Sequence, residues 1–207
     1  RSTLFPYTTL FRSTNRSRAG AAAPGGPVLF LKPNTAVIGP DAPIVLPPWS
    51  RQVHHEGELA VVIGSPAKNV DAVDAGRVIL GYTVADDVSA RDPRGGDAVR
   101  AKAFDTSCPL GPWIEIPEPG SDGGFDPARA AIRTRVDGAV VQEGTTADMI
   151  TAVPELIALA SRIFTLLPGD VILTGTPADA GEIRAGQRVE VGAVGRSEER
   201  RVGKECR

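Results

Sequence analysis

The sequence has few of the residues that build thiol and imidazole chemistry. Its 207 residues include two cysteines and two histidines, and the histidines are adjacent, at 54 and 55. So few cysteines exclude a disulfide-stapled secreted scaffold and fit a reducing, cytoplasmic setting. No apolar run approaches the roughly 20 residues that cross a bilayer as a helix. Positive charge is not in excess either, with 23 Lys+Arg against 25 Asp+Glu. That balance disfavours a nucleic acid or an anionic membrane as partner. No internal repeat is visible, and the Val-Gly-Lys of residues 202–204 lacks the spaced glycines of a phosphate-binding loop.

The two ends differ in origin from the rest. Within residues 1–13 (RSTLFPYTTLFRS), residues 2–13 match, residue for residue, the translation of one short-read sequencing adapter, and residues 196–207 (RSEERRVGKECR) match that of its reverse complement. Both are therefore expected to be adapter-derived and are set aside, which leaves residues 14–195 as a single domain. Its 182 residues suffice for one substantial core. Removing the ends takes away seven bases and three acids, so 16 bases face 22 acids for a formal net charge of −6. Cys206 goes with them, and Cys108 is left without a partner for an internal disulfide.

What is present is a succession of short β-type runs. Residues 14–27 are rich in Ala, Gly and Pro and read as a loop or disordered lead-in. Val28–Lys32, Ala36–Gly39, Pro43–Leu46, Leu59–Ile63, Arg77–Ala85, Gly111–Ile116, Val171–Thr174 and Arg188–Val191 read as strands punctuated by Gly and Pro. Val70–Gly76 suits a short helix or turn, and the glycine-rich, charged Arg94–Val99 suits a loop near a site. Asp137-Gly138 between Ala131–Val136 and Ala139–Gln142 is a hairpin signal for a tight primed turn. Over Val153–Phe164, Leu156, Ile157, Ala160, Ile163 and Phe164 recur at three-and-four spacing, with Pro154 in the first turn and Pro168-Gly169 beyond the end, and this predicts a helix. Many short strands with few helices give an α+β, mostly β, fold class.

The chemistry concentrates at His54–Gly64, HHEGELAVVIG. Side chains two apart on a strand share a face, so Glu56 and Glu58 point the same way, about 6.6 Å apart along the backbone. Two anions so placed repel unless a cation lies between them, and carboxylate oxygens select hard divalent cations such as Mg²⁺, Mn²⁺ or Ca²⁺. A solvated strand end is the alternative. His54 shares the face of the two glutamates and suits a supporting partner, whereas His55 packs or meets solvent on the other face.

Five ordered blocks, HHEGELAVVIG, GYTVADDVSARD, AKAFDTSCPLGPW, QEGTTADMI and LLPGDVILTGTP, closely resemble the fumarylacetoacetate hydrolase family, in particular its acylpyruvate hydrolase-like branch. The resemblance runs from about Val28 to Val191. It implies a mixed β-roll or incomplete barrel flanked by a few short helices, and a homodimer. It also implies metal carboxylates at Glu56, Glu58 and Asp87. Asp86 competes for the third place, but the family's ligand lies four residues before the arginine, which selects Asp87. Arg91, Thr176 and Gln142 match substrate-binding positions, Lys102 a catalytic one, and Thr106 one near the metal. Arg91 could instead pair with Asp92 or Asp97, and Gln142 could be a polar residue on a hairpin edge. A lysine beside three carboxylates offsets their charge and can stabilise an oxyanion.

The resemblance implies a hydrolase that cleaves a carbon–carbon bond in acylpyruvates or related β-diketo acids with Mg²⁺ or Mn²⁺. Oxaloacetate decarboxylation or tautomerisation, or isomerisation of a 2-hydroxy-diene-dioate, is the alternative on the same platform. An inert module that binds metal and keto acid is the non-enzyme alternative. Family members carry a lid histidine and glutamate upstream of the counterpart of Val28 that activate the attacking water. Residues 14–195 contain no such pair, and the last strand after Val191 is cut short, so the chain is expected to be an impaired fragment.

Overall fold

The computed structural model describes residues 8–12, 27–93, 97–117, 125–195 and 198–206. The fold is mostly β with few helices. Its strands are β1 (Thr8–Arg12), β2 (Val28–Lys32), β3 (Val37–Ile38), β4 (Val53–His54), β5 (Gly57–Ile63), β6 (Ile79–Asp86) and β7 (Ser89–Ala90). They continue with β8 (Cys108–Pro109), β9 (Ala131–Val136), β10 (Ala139–Thr145), β11 (Val171–Leu173), β12 (Arg188–Gly195) and β13 (Glu198–Glu205). The α-helices are α1 (Ala98–Lys102) and α2 (Val153–Ile163). Among the described residues the larger sheets are open: a four-stranded β10-β9-β12-β13 and a three-stranded β11-β5-β6, both antiparallel. The described helices are too short to cross a membrane.

The centre of the molecule is β5, in which all seven residues are buried. Its side chains alternate between two apolar clusters. Leu59, Val61 and Ile63 pack with Tyr82, Val84, Ile157 and Val191 on one face. Ala60 and Val62 pack with Phe30, Ala85, Cys108 and Leu173 on the other. A strand covered on both faces needs apolar residues at consecutive positions, which is what Leu-Ala-Val-Val-Ile supplies. Helix α2 closes the first cluster with Val153, Ile157 and Ala160. Glu155 accepts from the Ala152 backbone N–H at 3.1 Å and so satisfies one of the orphan donors at the helix start.

The expected hairpin and helix form where the pattern places them. Asp137 (φ 51°) and Gly138 (φ 83°) both adopt the left-handed region, as a primed turn requires. Other segments differ. Ala36–Gly39 becomes a 3₁₀ turn over Asn34–Ala36 and the short β3, while Pro43–Leu46 contributes a single bridge at Ile44. Gly111–Ile116 forms no strand; it makes an isolated bridge at Glu115 with Tyr82, and the Gly111 N–H donates to the Val84 carbonyl. Prolines at 40, 43, 47, 48, 112 and 117 remove backbone donors within and beside these stretches, which disfavours longer ladders there. Arg94–Val99 is not all loop. Residues 94–96 lie outside the described residues, but Asp97 accepts from the Arg100 N–H at 3.0 Å and caps α1. Strand β12 continues past Val191 to Gly195. The segments set aside as adapter-derived contain β1, paired with β2, and β13, paired with β12, and Cys206 is buried beside Ile44. Most of the lead-in, residues 14–26, lies outside the described residues.

Gly57 separates the two glutamates and has no room for a side chain. A Cβ there would lie 2.3 Å from Thr134 Oγ1, 3.1 Å from Val191 Cγ1 and 3.3 Å from Gln142 Oε1. Gly57→Ala is therefore expected to destabilise the fold by about 1–3 kcal/mol, as overpacking does. Gly76→Ala, where a Cβ meets nothing within 4 Å, is the control and should change thermal unfolding little. Equal melting temperatures for the two variants would show that β5 does not pack against β9 and β10 as described.

Candidate metal centre

The clusters on the two faces of β5 also fix which carboxylates meet. Glu58 follows the face of Ala60 and Val62, and Glu56 lies two residues earlier on the same side. On the paired strand Glu58 stands opposite Ala85 and Gly57 opposite Asp86. Ala85 belongs to that same cluster, so Asp87, two residues on, points with it and Asp86 points away. The Asp87 N–H donates to the Glu56 carbonyl at 2.9 Å and holds the chain in place just beyond the strand. As a result, Glu56, Glu58 and Asp87 each offer an oxygen within 4.8 Å of the others, and all three are buried. Asp86 instead accepts from the Glu56 backbone N–H at 2.7 Å. The alternation of side chains therefore makes the choice of Asp87 over Asp86 in this fold.

Three cationic side chains surround the carboxylates. Lys102, at the end of α1, places Nζ 2.6 Å from Glu56 Oε2 and within hydrogen-bonding reach of Asp87 Oδ2 and Ser89 Oγ. Its ammonium also lies 5.0 Å from the centre of the Phe30 ring. The Arg91 guanidinium contacts Glu56 Oε1, so the alternative pairing of Arg91 with Asp92 does not form; Asp92 accepts from Ser50 and from the Arg51 N–H. The third cation, Lys32, is one that sequence reasoning missed. It is 2% exposed, and its Nζ is 2.9 Å from Asp87 Oδ1. A usable signal was present, because Lys32 stands two residues after Phe30 on a strand whose alternate residues face the core. Ser89 was also missed; its hydroxyl donates to the Asp87 carbonyl at 2.7 Å.

Gln142 and Thr176 are brought to the same end of β5, but as a buried brace. Gln142 Oε1 accepts from the Gly57 N–H at 3.1 Å and from Thr134 Oγ1 at 2.9 Å, while Nε2 donates to Thr176 Oγ1 at 2.8 Å and to the Pro177 carbonyl at 3.1 Å. Thr176 donates in turn to the Gly57 carbonyl at 3.0 Å. Gln142 lies on β10, the outer strand of the hairpin, and is a buried anchor there. The Gly175 N–H donates to Glu58 Oε2 at 2.6 Å, so the turn after β11 orients a site carboxylate. Thr106, at a left-handed φ of 65°, accepts from the Val45 N–H at 2.8 Å. His55 is buried and its Nε2 accepts from the Gly181 N–H at 3.1 Å, which uses that nitrogen as an acceptor. His54 is partly buried and pairs through β4 with Ser89.

The electrostatics fit a divalent cation. Burial raises the Glu58 carboxyl well above the usual carboxylate range, and the nearby Asp87 and Glu56 charges raise it further, against the opposing Lys102. Glu58 Oε1 is buried without a hydrogen-bond partner among the described residues. Oxygens at 2.0–2.6 Å from one hard cation, as Mg²⁺ or Ca²⁺ requires, lie no more than about 5 Å apart. The spacing of the three carboxylates, the all-oxygen donor set and the unpartnered Glu58 oxygen therefore suit Mg²⁺, Mn²⁺ or Ca²⁺. Glu56, Glu58 and Asp87 are the residues that would hold it.

Residues 7–203 match the family described as fumarylacetoacetate (FAA) hydrolase C-terminal. Protein Rv2993c of Mycobacterium tuberculosis is 50% identical over 174 residues, covering 83% of this chain and 64% of that protein. The chain thus spans a little under two thirds of that relative. Oxaloacetate tautomerase YcgM of Escherichia coli is 41% identical over 189 residues, covering 88% of this chain and 84% of the enzyme. Among solved structures, 5-carboxymethyl-2-hydroxymuconate delta-isomerase from Mycobacterium smegmatis superposes with a TM-score of 0.86 at 43% identity, covering 98% of this chain and 79% of that one.

Two measurements test the site. In calorimetric titration with Mn²⁺, Asp87→Ala should weaken binding at least tenfold and Asp86→Asn should not. Wild-type affinity should also rise with pH, because the cation displaces the proton that Glu58 favours. Equal losses in the two variants would refute the ligand assignment. The second concerns stability. Burial pushes Asp86 up to about 7 from 3.8, so its contribution is fully present below pH 4 and is lost as pH rises through 7, a swing on the order of 4 kcal/mol. Asn keeps the acceptor for the Glu56 N–H without a charge. Asp86→Asn should therefore gain on the wild type in thermal melts between pH 5 and pH 8, and parallel stability curves would contradict this burial.

Proposed function

Because the chain belongs to the fumarylacetoacetate hydrolase family, we propose that it is a divalent-metal-dependent enzyme of small 2-keto acids that interconverts enol and keto or double-bond isomers of a dicarboxylic substrate such as oxaloacetate. The observation that carries this reading is the buried Glu56, Glu58 and Asp87 triad faced by Lys102 and Arg91. Similarity to a protein named oxaloacetate tautomerase and to one named as an isomerase supports it. Mg²⁺ or Mn²⁺ held by the triad would act as a Lewis acid and template for the keto and carboxylate oxygens.

The protein groups supply the rest. Arg91 is still 21% exposed at its side chain and takes the substrate carboxylate, for which its planar guanidinium suits bidentate contact. Lys102 Nζ stabilises the negative charge that develops on the enolate oxygen and passes the proton, with Ser89 Oγ beside it as a relay. Tautomerisation moves one proton within the substrate and needs no attacking water. Gln142, Thr176 and Gly175 hold Gly57 and Glu58 in register, so the carboxylates stay aimed at the site.

A second reading, hydrolysis of the carbon–carbon bond of an acylpyruvate, is supported by the family's hydrolase name and by the same Lys102, since the leaving fragment is also an enolate. It requires an activated water in addition, and the resemblance assigns that task to a histidine and glutamate on a lid. Cytoplasmic location, a homodimer and a free small-molecule substrate belong to the same proposal.

The test is an assay of the Mn²⁺-loaded protein with enol oxaloacetate and with acetylpyruvate, each followed by ultraviolet absorbance and by product analysis. Faster loss of enol oxaloacetate without carbon–carbon cleavage is expected. Lys102→Met should slow it by about a hundred- to ten-thousandfold, the usual worth of general acid–base catalysis. Cleavage of acetylpyruvate would favour the second reading, and turnover of neither compound would sink both.

A further inference from the structure

Asp87 is held by two lysines whose surroundings differ. Lys102 approaches Oδ2 from the end of a helix of five residues, and its partners are Glu56, Asp87 and Ser89. Those partners are the atoms a cation and substrate would meet, so this ammonium would have to give them up on their binding. Lys32 approaches Oδ1 from β2, and the rest of its bonding is to the scaffold. Its Nζ donates to the Ser107 carbonyl at 2.8 Å, to Ser107 Oγ at 3.0 Å and to the Val88 carbonyl at 3.3 Å, and its side chain has no exposed surface. An ammonium has three protons, and these three oxygens take them all, so Asp87 Oδ1 at 2.9 Å is held by charge as an ion pair. Lys32 cannot swing toward a substrate.

We infer that Lys32 is a positioning residue that fixes the Asp87 carboxylate by one oxygen, so that the other is presented to the cation and Lys102 is left free to serve the substrate. The inference rests on the metal reading above. Without Lys32 the carboxylate could rotate and accept Lys102 through both oxygens, and this second lysine would then compete with the cation for the site. The loss of a nearby positive charge acts in the opposite direction, since it removes a repulsion. Loss of the orienting partner is expected to dominate, as outer partners of metal ligands typically contribute 10- to 100-fold in metal affinity. Ser107 supports the arrangement twice, because its hydroxyl also donates to the Lys102 carbonyl at 2.9 Å.

The experiment measures Mn²⁺ affinity by calorimetry, beside thermal melts with and without Mn²⁺, for the wild type, Lys32→Met and Ser107→Ala. Lys32→Met keeps the length of the side chain and removes the charge, and it should weaken Mn²⁺ binding about 10- to 100-fold. Its melting temperature should rise less on adding Mn²⁺ than that of the wild type. Ser107→Ala removes one acceptor from Lys32 without changing the charge and should weaken binding several-fold; it carries the test if Lys32→Met does not fold. A purely structural lysine would lower the melting temperature of both forms equally and leave the affinity of the folded protein unchanged, which would overturn the inference. A wild type that binds no Mn²⁺ would refute the metal reading itself, a result distinct from unchanged affinity in the variants.

Discussion

Mutual repulsion among buried carboxylates is the constraint on which the site depends. Glu56, Glu58 and Asp87 come together at the end of a strand whose continuation is the apolar cluster of Ala60, Val62, Phe30 and Leu173. In that surrounding a charge without a partner costs several kcal/mol, so the anions persist only with compensation. The fold provides it from three elements: Lys32 from β2, Arg91 just after β7 and Lys102 from α1. Each cation is one side chain long from a different strand or helix, and so the site couples segments far apart in the chain. Burial first, and then the Asp87 and Glu56 charges, raise the Glu58 carboxyl against the opposing Lys102. A divalent cation held by the triad would offset both causes.

The chemistry follows from the same balance. A cation held by Glu56, Glu58 and Asp87 would free Lys102 from Glu56 and Asp87 and leave its ammonium available to an oxyanion. In the proposed reading Arg91 and Lys102 would face the substrate, whereas Lys32 is bonded to backbone and Ser107 oxygens. The division between mobile and fixed cations is a matter of where their hydrogen bonds go. The brace of Gln142 and Thr176 performs the corresponding task for β5, since every polar atom of Gln142 is committed to Gly57, Thr134, Thr176 or Pro177. Membership of the fumarylacetoacetate hydrolase family agrees with this arrangement.

Period-two alternation, local turn chemistry and helix periodicity are short-range properties, and these were readable in the sequence. Alternation put Glu56 and Glu58 on one face, Asp137-Gly138 specified the primed turn, and the apolar spacing of Leu156, Ile157 and Ala160 specified α2. The mostly β fold class followed from the number of short runs, and the ordered motif blocks identified Asp87, Arg91 and Lys102. Short proline-bounded stretches such as Pro43–Leu46 and Gly111–Ile116 were over-read as strands, because a β-rich composition does not reveal whether a partner strand lies alongside.

Tertiary structure alone decided the pairings between distant residues. Lys32 lies 55 positions before Asp87 in the sequence, and although alternation with Phe30 points it inward, nothing local says that Asp87 is the charge it meets there. The commitment of Gln142 and Thr176 to Gly57, and of Gly175 to Glu58, depends likewise on β10 and the turn after β11 arriving at the same end of β5. The sequence by itself determined which residues share a face along one strand, because that is set by the backbone's own repeat. Which faces meet, and therefore which charges must be balanced against which, was decided only when the strands packed.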